Sequence, residues 1–554
     1  MSKIFEQLVK KRGLTREFLE PRYGECAAPG ELPDMAAAVQ RLGQAKARGE
    51  KVLIYGDYDV DGVTASTALD EALRLAGIEV AEVMLPNRFT DGYGMSRKVV
   101  ERARETGAKL VVTVDCGSRN QEIVQELLEA GVETVVTDHH ECGETLPAAV
   151  AVVNPKRRDV GAAGGGAGKS GLGAAGLETG GVELRELAGV GVVFKLAQAL
   201  VEAGMLPAGQ EKWLLDLVLI GTICDSMRLR GENRRLVYYG MKVLEKTRRV
   251  GLQELLRTAG VKRLGGSAIG FQVGPRLNAA GRMETAEKAL RLLMTRRRTE
   301  AAALAMELER LNQERRAQQQ AAVREIERRG VGAAPVIVEA GEWHEGILGI
   351  IAGRLVEEYQ RPAFVLAQVG DCYKGSGRSF GDFNLAEALR ATEKWVIGGG
   401  GHAAACGVKV PLGGLEGFTE AINRYYEGLG LREQERFLEL KEDLVVEDLA
   451  ELSLELAEEL RQLEPFGEGN GEPRFLLPGV RVVEAARLGA DGQHLRLVVE
   501  DERGGRLKLM RFFAPEAELT MRAGERVSVW ATVEENVFRG TRSVEGRIER
   551  LERA

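Results

Sequence analysis

Residues 52–66 read VLIYGDYDVDGVTAS, and this stretch decides the fold. The apolar run VLIY leads directly into Gly56 and then into three aspartates at alternate positions, Asp57, Asp59 and Asp61. A short, wholly apolar run that ends at a glycine is typical of a strand buried on both faces. A helical pattern begins at residue 62. The stretch therefore predicts a buried strand, an acidic turn and a helix.

Further apolar runs follow this one, and helical patterns separate most of them. The runs are VAEVML (80–85), LVVTV (110–114), ETVVT (133–137) and VAVV (150–153), and the helical patterns cover residues 62–76, 96–106 and 119–130. Such alternation of strands and helices is typical of βαβ units. We therefore predict an α/β domain built on a doubly wound parallel sheet.

Acidic and histidine residues stand at the carboxyl ends of these strands. LVVTV leads into Asp115, and ETVVT leads into Asp138, His139 and His140. Open α/β sheets bind ligands along this edge, so these side chains are expected to converge with the aspartates of the first turn. Aspartates at strand ends are also common turn residues. Acidic clusters on successive strands favour a binding site over simple turns.

The converging carboxylates predict a metal centre. Like charges repel at short range, and a hard divalent cation relieves that repulsion. Oxygen ligands together with a histidine suit Mn²⁺ or Mg²⁺ better than a structural zinc site. The acidic and histidine residues supply enough ligands for two ions, which together can activate a water and stabilise the leaving oxygen of a phosphoryl displacement. The residues alone therefore predict hydrolysis of a phosphoester.

Two histidines and one further aspartate have alternative roles. One of His139 and His140 is expected to bind metal while the other orients its neighbour. We assign His139 as the ligand, and His140 as the orienting or phosphate-facing residue. Asp225 follows the apolar run DLVLIGTIC and is either a helix-capping residue or a further ligand.

The composition is that of a globular protein with several domains. At 554 residues the chain is long enough for about three or four domains. Apolar residues make up 44% and charged residues 29%, and the six cysteines include no CxxC pair. No run approaches the ~20 apolar residues of a membrane span, so we expect a cytoplasmic, reduced protein. The net charge of −7 argues against nonspecific coating of nucleic acid but allows a local basic channel.

The remaining segments predict further domains. We assign 1–50 as an N-terminal helical segment, 51–294 as the catalytic domain, 295–330 as a connecting helix, 331–430 as a second α/β domain, and 431–554 as a helical segment with a small β-barrel. The connecting helix is predicted because residues 295–329 contain no proline or glycine. The short alternating strands after residue 472 suit a barrel of the oligonucleotide-binding (OB) type.

The second α/β segment carries groups suited to phosphates. Lys374, Ser376 and Arg378 lie in KGSGRS, and a glycine run at 398–401 precedes His402. Glycines permit close backbone approach to a ligand, and cationic or hydroxyl groups donate to phosphate oxygens. The alternative is a tight structural turn. We favour phosphate or nucleotide binding.

A Gly/Ala-rich insertion covers residues 157–185. Its Gly168-Lys169-Ser170 matches part of a phosphate-binding P-loop, but Ala163 stands where that motif needs a glycine, and no predicted strand leads into it. We interpret the segment as a flexible insertion to which the sequence assigns no role.

Several sequence blocks resemble the signature motifs of the DHH phosphoesterase superfamily. They are YGDYDVDGVTAS, LPNRFTDGYGMS, VTVDCGS and VTDHHE, and GGGGHAAACG resembles the motif of the DHH-associated domain. Within the superfamily, the blocks GPRLNAAGR, WHEGILGIIAGRL, KGSGRS and LEPFGEGNGEP resemble the RecJ family of exonucleases. The resemblance covers nearly the whole chain, with residues 157–185 as the main exception.

The resemblance implies roles for particular residues. The metal ligands of the superfamily fall on Asp57, Asp59, Asp61, Asp115, His139 and Asp225. Asp115, His139 and His140 are implied to be catalytic, with two Mn²⁺ or Mg²⁺ ions as cofactor. Candidates for gripping the DNA backbone between the two lobes are Arg276, Asn278, Arg282, Ser376, Arg378 and His402.

The resemblance also implies the activity and the partners. It indicates a metal-dependent 5′→3′ exonuclease that degrades single-stranded DNA to 5′-mononucleotides in DNA repair and recombination. The implied partners are single-stranded DNA, a single-strand-binding protein and a repair helicase, with no membrane association and a monomeric state. The OB-type barrel is expected to add stacking and backbone contacts to the strand.

Two alternative functions are open at this point. Smaller DHH enzymes cleave cyclic dinucleotides or short oligonucleotides, but they typically have a histidine where this chain has Leu53, and they lack a C-terminal barrel. A degenerate member that acts as a replication scaffold would have lost motif acids or histidines, and none is missing from these motifs. Length and intact motifs therefore favour the exonuclease.

Overall fold

The computed structural model describes residues 1–92, 94–157, 183–431, 441–489, 491–538 and 540–553. Three β-sheets organise this part of the chain. The predicted Gly/Ala-rich insertion lies almost wholly on residues 158–182, outside the described residues. Across the described ranges, no helix combines the length and the apolar character needed to cross a membrane.

The first sheet is parallel throughout and confirms the predicted α/β fold. Its strands are β1 (Val52–Tyr55), β2 (Val80–Met84), β3 (Leu110–Val114), β4 (Glu133–Thr137) and β5 (Ala151–Val153). They lie in the order β2-β1-β3-β4-β5, and all neighbours pair in parallel. β1 and β3 are buried along their whole length, as their unbroken apolar runs predict. The strand order reverses between β1 and β3, and such a switch point is where open α/β sheets bind ligands.

Helices cover both faces of this sheet. Up to residue 294 the described α-helices of four or more residues are, in chain order, α1 (Lys3–Lys11), α2 (Arg16–Leu19), α3 (Met35–Arg48), α4 (Val60–Leu75), α5 (Lys98–Thr106), α6 (Gln121–Glu129), α7 (Gly189–Glu202), α8 (Leu215–Cys224), α9 (Gly231–Leu244), α10 (Val250–Thr258), α11 (Gly274–Met283) and α12 (Glu287–Met294). Of these, α1 and α2 pack in a different core. Val52 and Ile54 of β1 belong to the core shared with α4 and α7. Leu53 and Tyr55 belong to the core shared with α5 and α6 on the other face.

A long helix, α13 (Arg298–Arg329), leads away from this domain. Its 32 residues correspond to a length of about 48 Å. Leu304, Leu308 and Leu311 are buried on one face, and the helix packs against α10 and α11. The helix forms where the sequence predicts it.

The second sheet belongs to a smaller α/β domain. Its strands are β6 (Ile337–Gly341), β7 (Ala363–Val369), β8 (Cys372–Arg378), β9 (Gly398–Gly401) and β10 (Ala405–Pro411), in the order β6-β7-β8-β10-β9. β6 and β7 pair in parallel and the other neighbours pair antiparallel. Its helices are α14 (Leu348–Tyr359), α15 (Leu385–Ala391) and α16 (Leu415–Gly428). The glycine run that the sequence offered as a ligand loop or a turn is an edge strand, β9.

The third sheet closes into the predicted OB-type barrel. Its elements are β11 (Leu444–Val445), α17 (Leu454–Leu460), β12 (Phe475–Leu488), β13 (His494–Glu500), β14 (Arg506–Arg511), α18 (Glu516–Leu519), β15 (Arg526–Phe538) and β16 (Thr541–Arg553). The order is β11-β12-β13-β14-β16-β15, and β15 pairs back to β12. Alternate residues of β13 are buried, as a barrel with one solvated face requires.

The N-terminal helices divide between two domains. Phe5 and Leu8 of α1 and Phe18 of α2 lie in the hydrophobic core of the barrel, whereas α3 packs in the core of the first domain. Arg12 makes a two-pronged ion pair with Asp443, with N–O distances of 2.6 and 2.7 Å. An amphipathic helix shows only that it must cover some apolar surface, so the sequence could not show which core α1 completes.

Candidate metal centre and the arginine cluster beside it

The turn after β1 places aspartates at the carboxyl edge of the first sheet. Asp59 caps α4, and its Oδ1 accepts a hydrogen bond of 3.0 Å from the backbone N–H of Gly62. The carboxylate of Asp61, which is buried, accepts hydrogen bonds from the backbone N–H groups of Gly189 (2.6 Å) and Val190 (2.9 Å) at the start of α7. Because a helix N-terminus stabilises a negative charge, α7 holds Asp61 in place.

Asp115 reaches the same edge from the end of β3. Its φ of 59° lies in the left-handed region, which a non-glycine residue adopts at a local cost. Its buried Oδ1 has no hydrogen-bond partner in the described part of the chain, although it lies 3.1 Å from Nε2 of His139. Backbone strain and an unpaired buried oxygen together indicate a residue placed for a ligand.

His139 follows β4 and has the environment of a neutral metal ligand. Its Nε2 lies 3.1 Å from a carboxylate oxygen of Asp115, 3.5 Å from one of Asp225 and 3.8 Å from one of Asp61. Burial lowers the pKa of His139 to about 3, so the ring is neutral near pH 7. The neutral imidazole is the form that binds a metal ion.

His140 is held differently, by Asp138. The Nδ1 atom of His140 lies 2.9 Å from Oδ1 of Asp138, which also accepts hydrogen bonds from the backbone N–H groups of His139 (2.7 Å) and His140 (3.1 Å). Burial alone would lower the pKa of His140, but the hydrogen bond and charge of Asp138 outweigh it and raise that pKa to about 9. Burial likewise acts to raise the pKa of Asp138, but His140 and His139 keep it below its usual value. Asp138 thus orients the ring of His140 and favours its protonated form.

Asp225 approaches the cluster from the end of α8. Burial and the neighbouring Asp61 raise the pKa of Asp225 to about 8. Burial and the charge of Asp59 raise the pKa of Asp57 to about 8 in the same way. The shared cause is that several carboxylates occupy a small volume from which water is largely excluded.

The ligand atoms form three overlapping groups of three. The groups are Asp57 with Asp59 and Asp115, Asp61 with His139 and Asp225, and Asp115 with His139 and His140. Within each group the ligand atoms lie within 4.8 Å of one another. Crowded carboxylates, a neutral imidazole and an unpaired Asp115 oxygen fit two divalent cations.

The structure brings all six predicted metal ligands together, with His140 beside them. The sequence allowed two roles for Asp225, helix-capping residue or metal ligand. In the structure Asp225 is the C-cap of α8 and also belongs to the ligand cluster. Asp138 stands apart, because its carboxylate is occupied by His140 and by the backbone N–H of Ser118 at 3.0 Å.

Beside the carboxylates, four arginines converge: Arg88, Arg282, Arg315 and Arg378. Burial lowers the pKa of Arg282 to about 9, and the charges of the other three arginines act in the same direction. Within the described ranges, none of the four forms an ion pair with a carboxylate at salt-bridge distance. Half-buried cations without carboxylate partners indicate a site for an anion such as phosphate.

The arginine cluster spans the two α/β domains. Arg282 ends α11 of the first domain, whereas Arg378 ends β8 of the second and donates to Oγ of Ser376 (3.0 Å) and to the carbonyl of Gly377 (2.8 Å). The guanidinium of Arg88 lies 4.3 Å from the centre of a tyrosine ring, that of Tyr58, in the metal-binding turn. A phosphate bound here would therefore touch both domains and the metal-binding turn.

Two of these arginines were missing from the sequence prediction. Arg88 lies in LPNRFTDGYGMS, so its motif carried a signal that the prediction did not use. Arg315 is one of many arginines on α13. Arg315 differs from the other arginines of α13 only through the packing of that helix beside the second domain.

The other predicted DNA-binding residues lie in different surroundings. Arg276 forms an ion pair of 2.5 Å with Glu309 and donates to the carbonyl of Gln272 at 2.7 Å, so it ties α11 to α13. Asn278 lines a cavity next to the arginine cluster. His402 is exposed at the turn between β9 and β10.

Two cavities lead from this site toward the barrel. The first, of about 530 Å³, runs from Ser226, next to the last ligand aspartate, to Arg547 of β16. The second, of about 630 Å³, lies between arginines of α13 and the exposed rings of Phe512 and Phe513. Arg315 lines both cavities. Cations and exposed aromatic rings thus line a path from the metal cluster to the barrel.

A parallel α/β sheet with carboxylates suited to two cations at its switch point, and an arginine cluster suited to phosphate beside them, is the arrangement of a metal-dependent phosphoesterase. Sequence models of known families divide the chain accordingly. The DHH family, N-terminal domain, matches residues 51–222, the DHHA1 domain matches residues 333–428, and the RecJ OB domain matches residues 444–550.

Similar proteins of known activity identify the family within this class of phosphoesterases. The single-stranded-DNA-specific exonuclease RecJ of Escherichia coli (strain K12) is 32% identical over 550 residues, covering 93% of this chain and 89% of the relative. The protein of the same name from Bacillus subtilis (strain 168) is 32% identical over 95% of this chain, which spans 65% of that relative's length. The chain therefore belongs to the RecJ family of single-stranded-DNA-specific exonucleases.

Solved structures agree with this assignment and identify the cofactor. RecJ from Thermus thermophilus in complex with Mn²⁺ matches with a TM-score of 0.81 at 31% identity, covering 100% of this chain and 76% of that one. Its complex with Mg²⁺ matches with a TM-score of 0.75 at 28% identity, covering 100% and 74%. Together with the ligand groups of this chain, these complexes identify Mn²⁺ or Mg²⁺ as the cofactor, as predicted.

Proposed function

We propose that this chain degrades single-stranded DNA from its 5′ end and releases 5′-mononucleotides in DNA repair and recombination. The observation that carries the proposal is the arginine cluster directly beside the metal ligands. A terminal 5′-phosphate held by Arg88, Arg282 and Arg378 would place the next phosphodiester at the carboxylates. Cleavage there releases one nucleotide with its 5′-phosphate.

The carboxylates and the two histidines have different roles in the reaction. The residues that would hold the two ions are Asp57, Asp59, Asp61, Asp115, His139 and Asp225. When bound, such ions supply an activated water and stabilise the leaving oxygen. His140 faces the reacting phosphate, where its ring can donate a hydrogen bond, and Asp138 fixes its orientation. The N-terminus of α7 keeps Asp61 in position through two backbone hydrogen bonds.

The substrate strand leaves the site along the two cavities. The exposed ring of Phe271 lines the first cavity, and Phe512 and Phe513 line the second. Aromatic rings that stack on bases, alternating with arginines that meet phosphates, are how proteins hold single strands without regard to sequence. A strand with unpaired bases can use these rings, whereas the bases of a duplex are already stacked on one another.

The test uses single-stranded oligonucleotides labelled at the 5′ or the 3′ end. With Mn²⁺ or Mg²⁺, we expect the 5′ label to appear as a mononucleotide at once, and the 3′ label to remain on progressively shorter strands. A chelator should abolish both, and so should Asp115→Ala, while Asp371→Ala in the exposed β7–β8 turn serves as the control for an acidic residue outside the site. Release of the 3′ label first would overturn the polarity.

Substrate length decides between this function and its alternative. A phosphodiesterase for short oligonucleotides or cyclic dinucleotides would hydrolyse substrates more slowly as the strand lengthens, because its substrates would not occupy the cavities that lead to the barrel. We expect the opposite, with long strands degraded at least as well as short ones. Interaction with a single-strand-binding protein and a repair helicase, and a monomeric state, are further predictions from the family resemblance.

A further inference from the structure

The segment 462–471, which reads QLEPFGEGNG, lies between the barrel and the metal centre. It connects α17 to β12. Its Leu463 is buried in the core of the barrel, and Phe466 packs against that core. On its other side the segment contacts the loop 225–230, which joins α8 to α9 and begins with the metal ligand Asp225. One short segment therefore touches both the barrel core and the loop that carries a metal ligand.

Hydrogen bonds tie the far end of the loop 225–230 to this segment. The backbone N–H of Leu229 donates to the carbonyl of Glu468 at 2.8 Å, and Nε of Arg230 donates to the carbonyl of Gly469, also at 2.8 Å. At the near end, Ser226 has a φ of 55°, which a non-glycine residue adopts at a local cost. Such a turn persists only where the surrounding structure fixes it. The segment supplies that support just beyond the ligand.

Two buried polar side chains fix the shape of the segment itself. Arg234 of α9 is 1% exposed and donates to two carbonyls of the segment, at 2.7 and 3.0 Å. Asn470 is also 1% exposed, and its Nδ2 donates to two further carbonyls of the segment, at 2.8 and 3.0 Å. A buried acceptor that loses its donor costs about 1–3 kcal/mol. These bonds therefore hold the segment in one conformation against the first domain.

The contact between the segment and the first domain leaves no room for movement. A Cβ placed on Gly467 would lie 2.7 Å from Cδ1 of Leu229. A Cβ placed on Gly266, on the opposite side, would lie 1.8 Å from the carbonyl oxygen of Phe466. Non-bonded carbon atoms rest roughly 3.5–4.0 Å apart, so only glycine permits this close approach. A displacement of the segment would therefore also displace Leu229 and the loop that carries the ligand.

We propose that the segment 462–471 is a positioning element of the metal centre, which holds the loop 225–230 and thereby keeps Asp225 directed at its ion. Through this contact the barrel contributes to metal binding as well as to holding the strand. The proposal rests on the two-ion site and is independent of the end from which the strand is digested.

The segment should affect one ion more than the other. Asp225 belongs to the ligand group that also contains Asp61 and His139. Asp59 belongs to another group and is held at the start of α4 instead. Displacing the segment should therefore weaken the binding of one ion selectively.

The test titrates Mn²⁺ into the full chain without DNA and follows free Mn²⁺ by electron paramagnetic resonance. In Gly266→Ala, the added methyl group collides with the backbone of Phe466. One of the two ions should then bind about tenfold more weakly than in the wild type, as loss of groups that orient a metal ligand commonly causes. The matched control is Gly413→Ala, between β10 and α16, where an added Cβ meets no atom within 4 Å and both ions should bind as in the wild type.

A second variant acts on the segment from the side of the barrel. Asn470→Asp replaces the amide donor by a carboxylate that faces two carbonyls, and it should weaken the same ion. If Gly266→Ala does not fold, as far-UV circular dichroism would show, Asn470→Asp decides. In either variant, digestion of a short strand should need about tenfold more Mn²⁺ for half-maximal rate. Saturating Mn²⁺ should restore kcat, and KM for the strand should stay unchanged.

Three results would overturn the proposal. The first is a folded variant that binds both ions as the wild type does. The second is an equal weakening of both ions, which would indicate general disruption of the first domain. The third is a rise in KM for the strand with an unchanged requirement for Mn²⁺, since the segment would then contribute to DNA binding alone.

Discussion

Helix α8 carries two buried or half-buried aspartates at its two ends, and the fold treats them in opposite ways. Asp216 accepts hydrogen bonds from the backbone N–H of Leu217 (2.8 Å), from Oγ1 of Thr247 (2.7 Å) and from Nε of Arg249 (3.1 Å). Asp225, about 14 Å further along the axis, meets His139 and other carboxylates instead.

The difference separates a structural charge from a functional one. Asp216 is neutralised by groups that the chain itself supplies, so it stabilises the packing of α8 against the segment after α9. The negative charge around Asp225 is left for cations from solution. A buried carboxylate whose partners lie within the chain indicates architecture, whereas one surrounded by like charges indicates a ligand site. The same substitution at both positions should therefore have opposite consequences.

The largest expected effect is on catalysis by Asp225→Asn. Loss of a ligand charge should lower kcat by about two to three orders of magnitude, as loss of other preorganised electrostatic groups does. Stability without metal should stay the same or rise, because one of several repelling carboxylates is removed. Steady-state digestion of a 5′-labelled strand and thermal unfolding in chelator measure the two effects. Full activity in this variant would remove Asp225 from the site.

The matched substitution at the other end of α8, Asp216→Asn, should act on stability. Removing the charge leaves Arg249 with a single carboxylate partner, Glu71, at 2.5 Å, so we expect a loss of about 2–3 kcal/mol in the free energy of unfolding of the first domain. Urea denaturation followed by far-UV circular dichroism measures this loss. At temperatures below the transition, kcat should match that of the wild type, and a large fall in kcat would contradict the structural role.

A smaller effect on activity is expected from substitution in the arginine cluster, which lies beside the cluster of metal-binding carboxylates. Arg88→Ala should raise KM for a 5′-phosphorylated strand by about tenfold, because one charge-assisted contact to phosphate is lost. The KM for the same strand with a 5′-hydroxyl should change little. Arg424→Ala, on the exposed face of α16, is the control for loss of an arginine elsewhere. Equal effects on both strands would show that Arg88 does not recognise the terminal phosphate.

The smallest expected effect is a pH-dependent response to metal. Burial and mutual repulsion raise the pKa of Asp57 and of Asp225 to about 8 and that of Asp61 to about 7. The metal-free folded state thus retains protons that the unfolded state has lost, so these groups destabilise it as pH rises from about 4 toward 8. Added Mg²⁺ should therefore raise Tm more at pH 8 than at pH 5.5, as differential scanning fluorimetry would show. A response that is independent of pH would contradict this account.

Much of the fold was predictable because its signals are local. VLIY and LVVTV are short, largely apolar runs typical of strands buried on both faces, and the aspartates that follow them mark the carboxyl edge of the sheet. The absence of proline and glycine from 298–329 predicts α13 in the same way. These elements formed where expected because short-range chemistry decides them.

The parts that the residues alone did not predict depend on contacts between distant segments. Asp225 follows a helix rather than a strand, so no alternation pattern marks it, and its role depends on the packing of α8 against α4 and α7. Arg88 and Arg315 resemble many other arginines until the fold places them beside Arg282. The division of the N-terminal helices between two cores also required tertiary information, since amphipathicity does not name a partner.

The packing of α1 and α2 into the barrel core has a consequence for how the protein is made. Phe5, Leu8 and Phe18 leave the ribosome well before the strands that bury them, which are synthesised more than four hundred residues later. The barrel core therefore cannot form in the order of synthesis, because these apolar side chains are made before the two α/β domains and the barrel strands are made after them. The same contact joins the segment before the first α/β domain to the barrel that follows the second, so the core of the barrel is complete only after β16 has been synthesised.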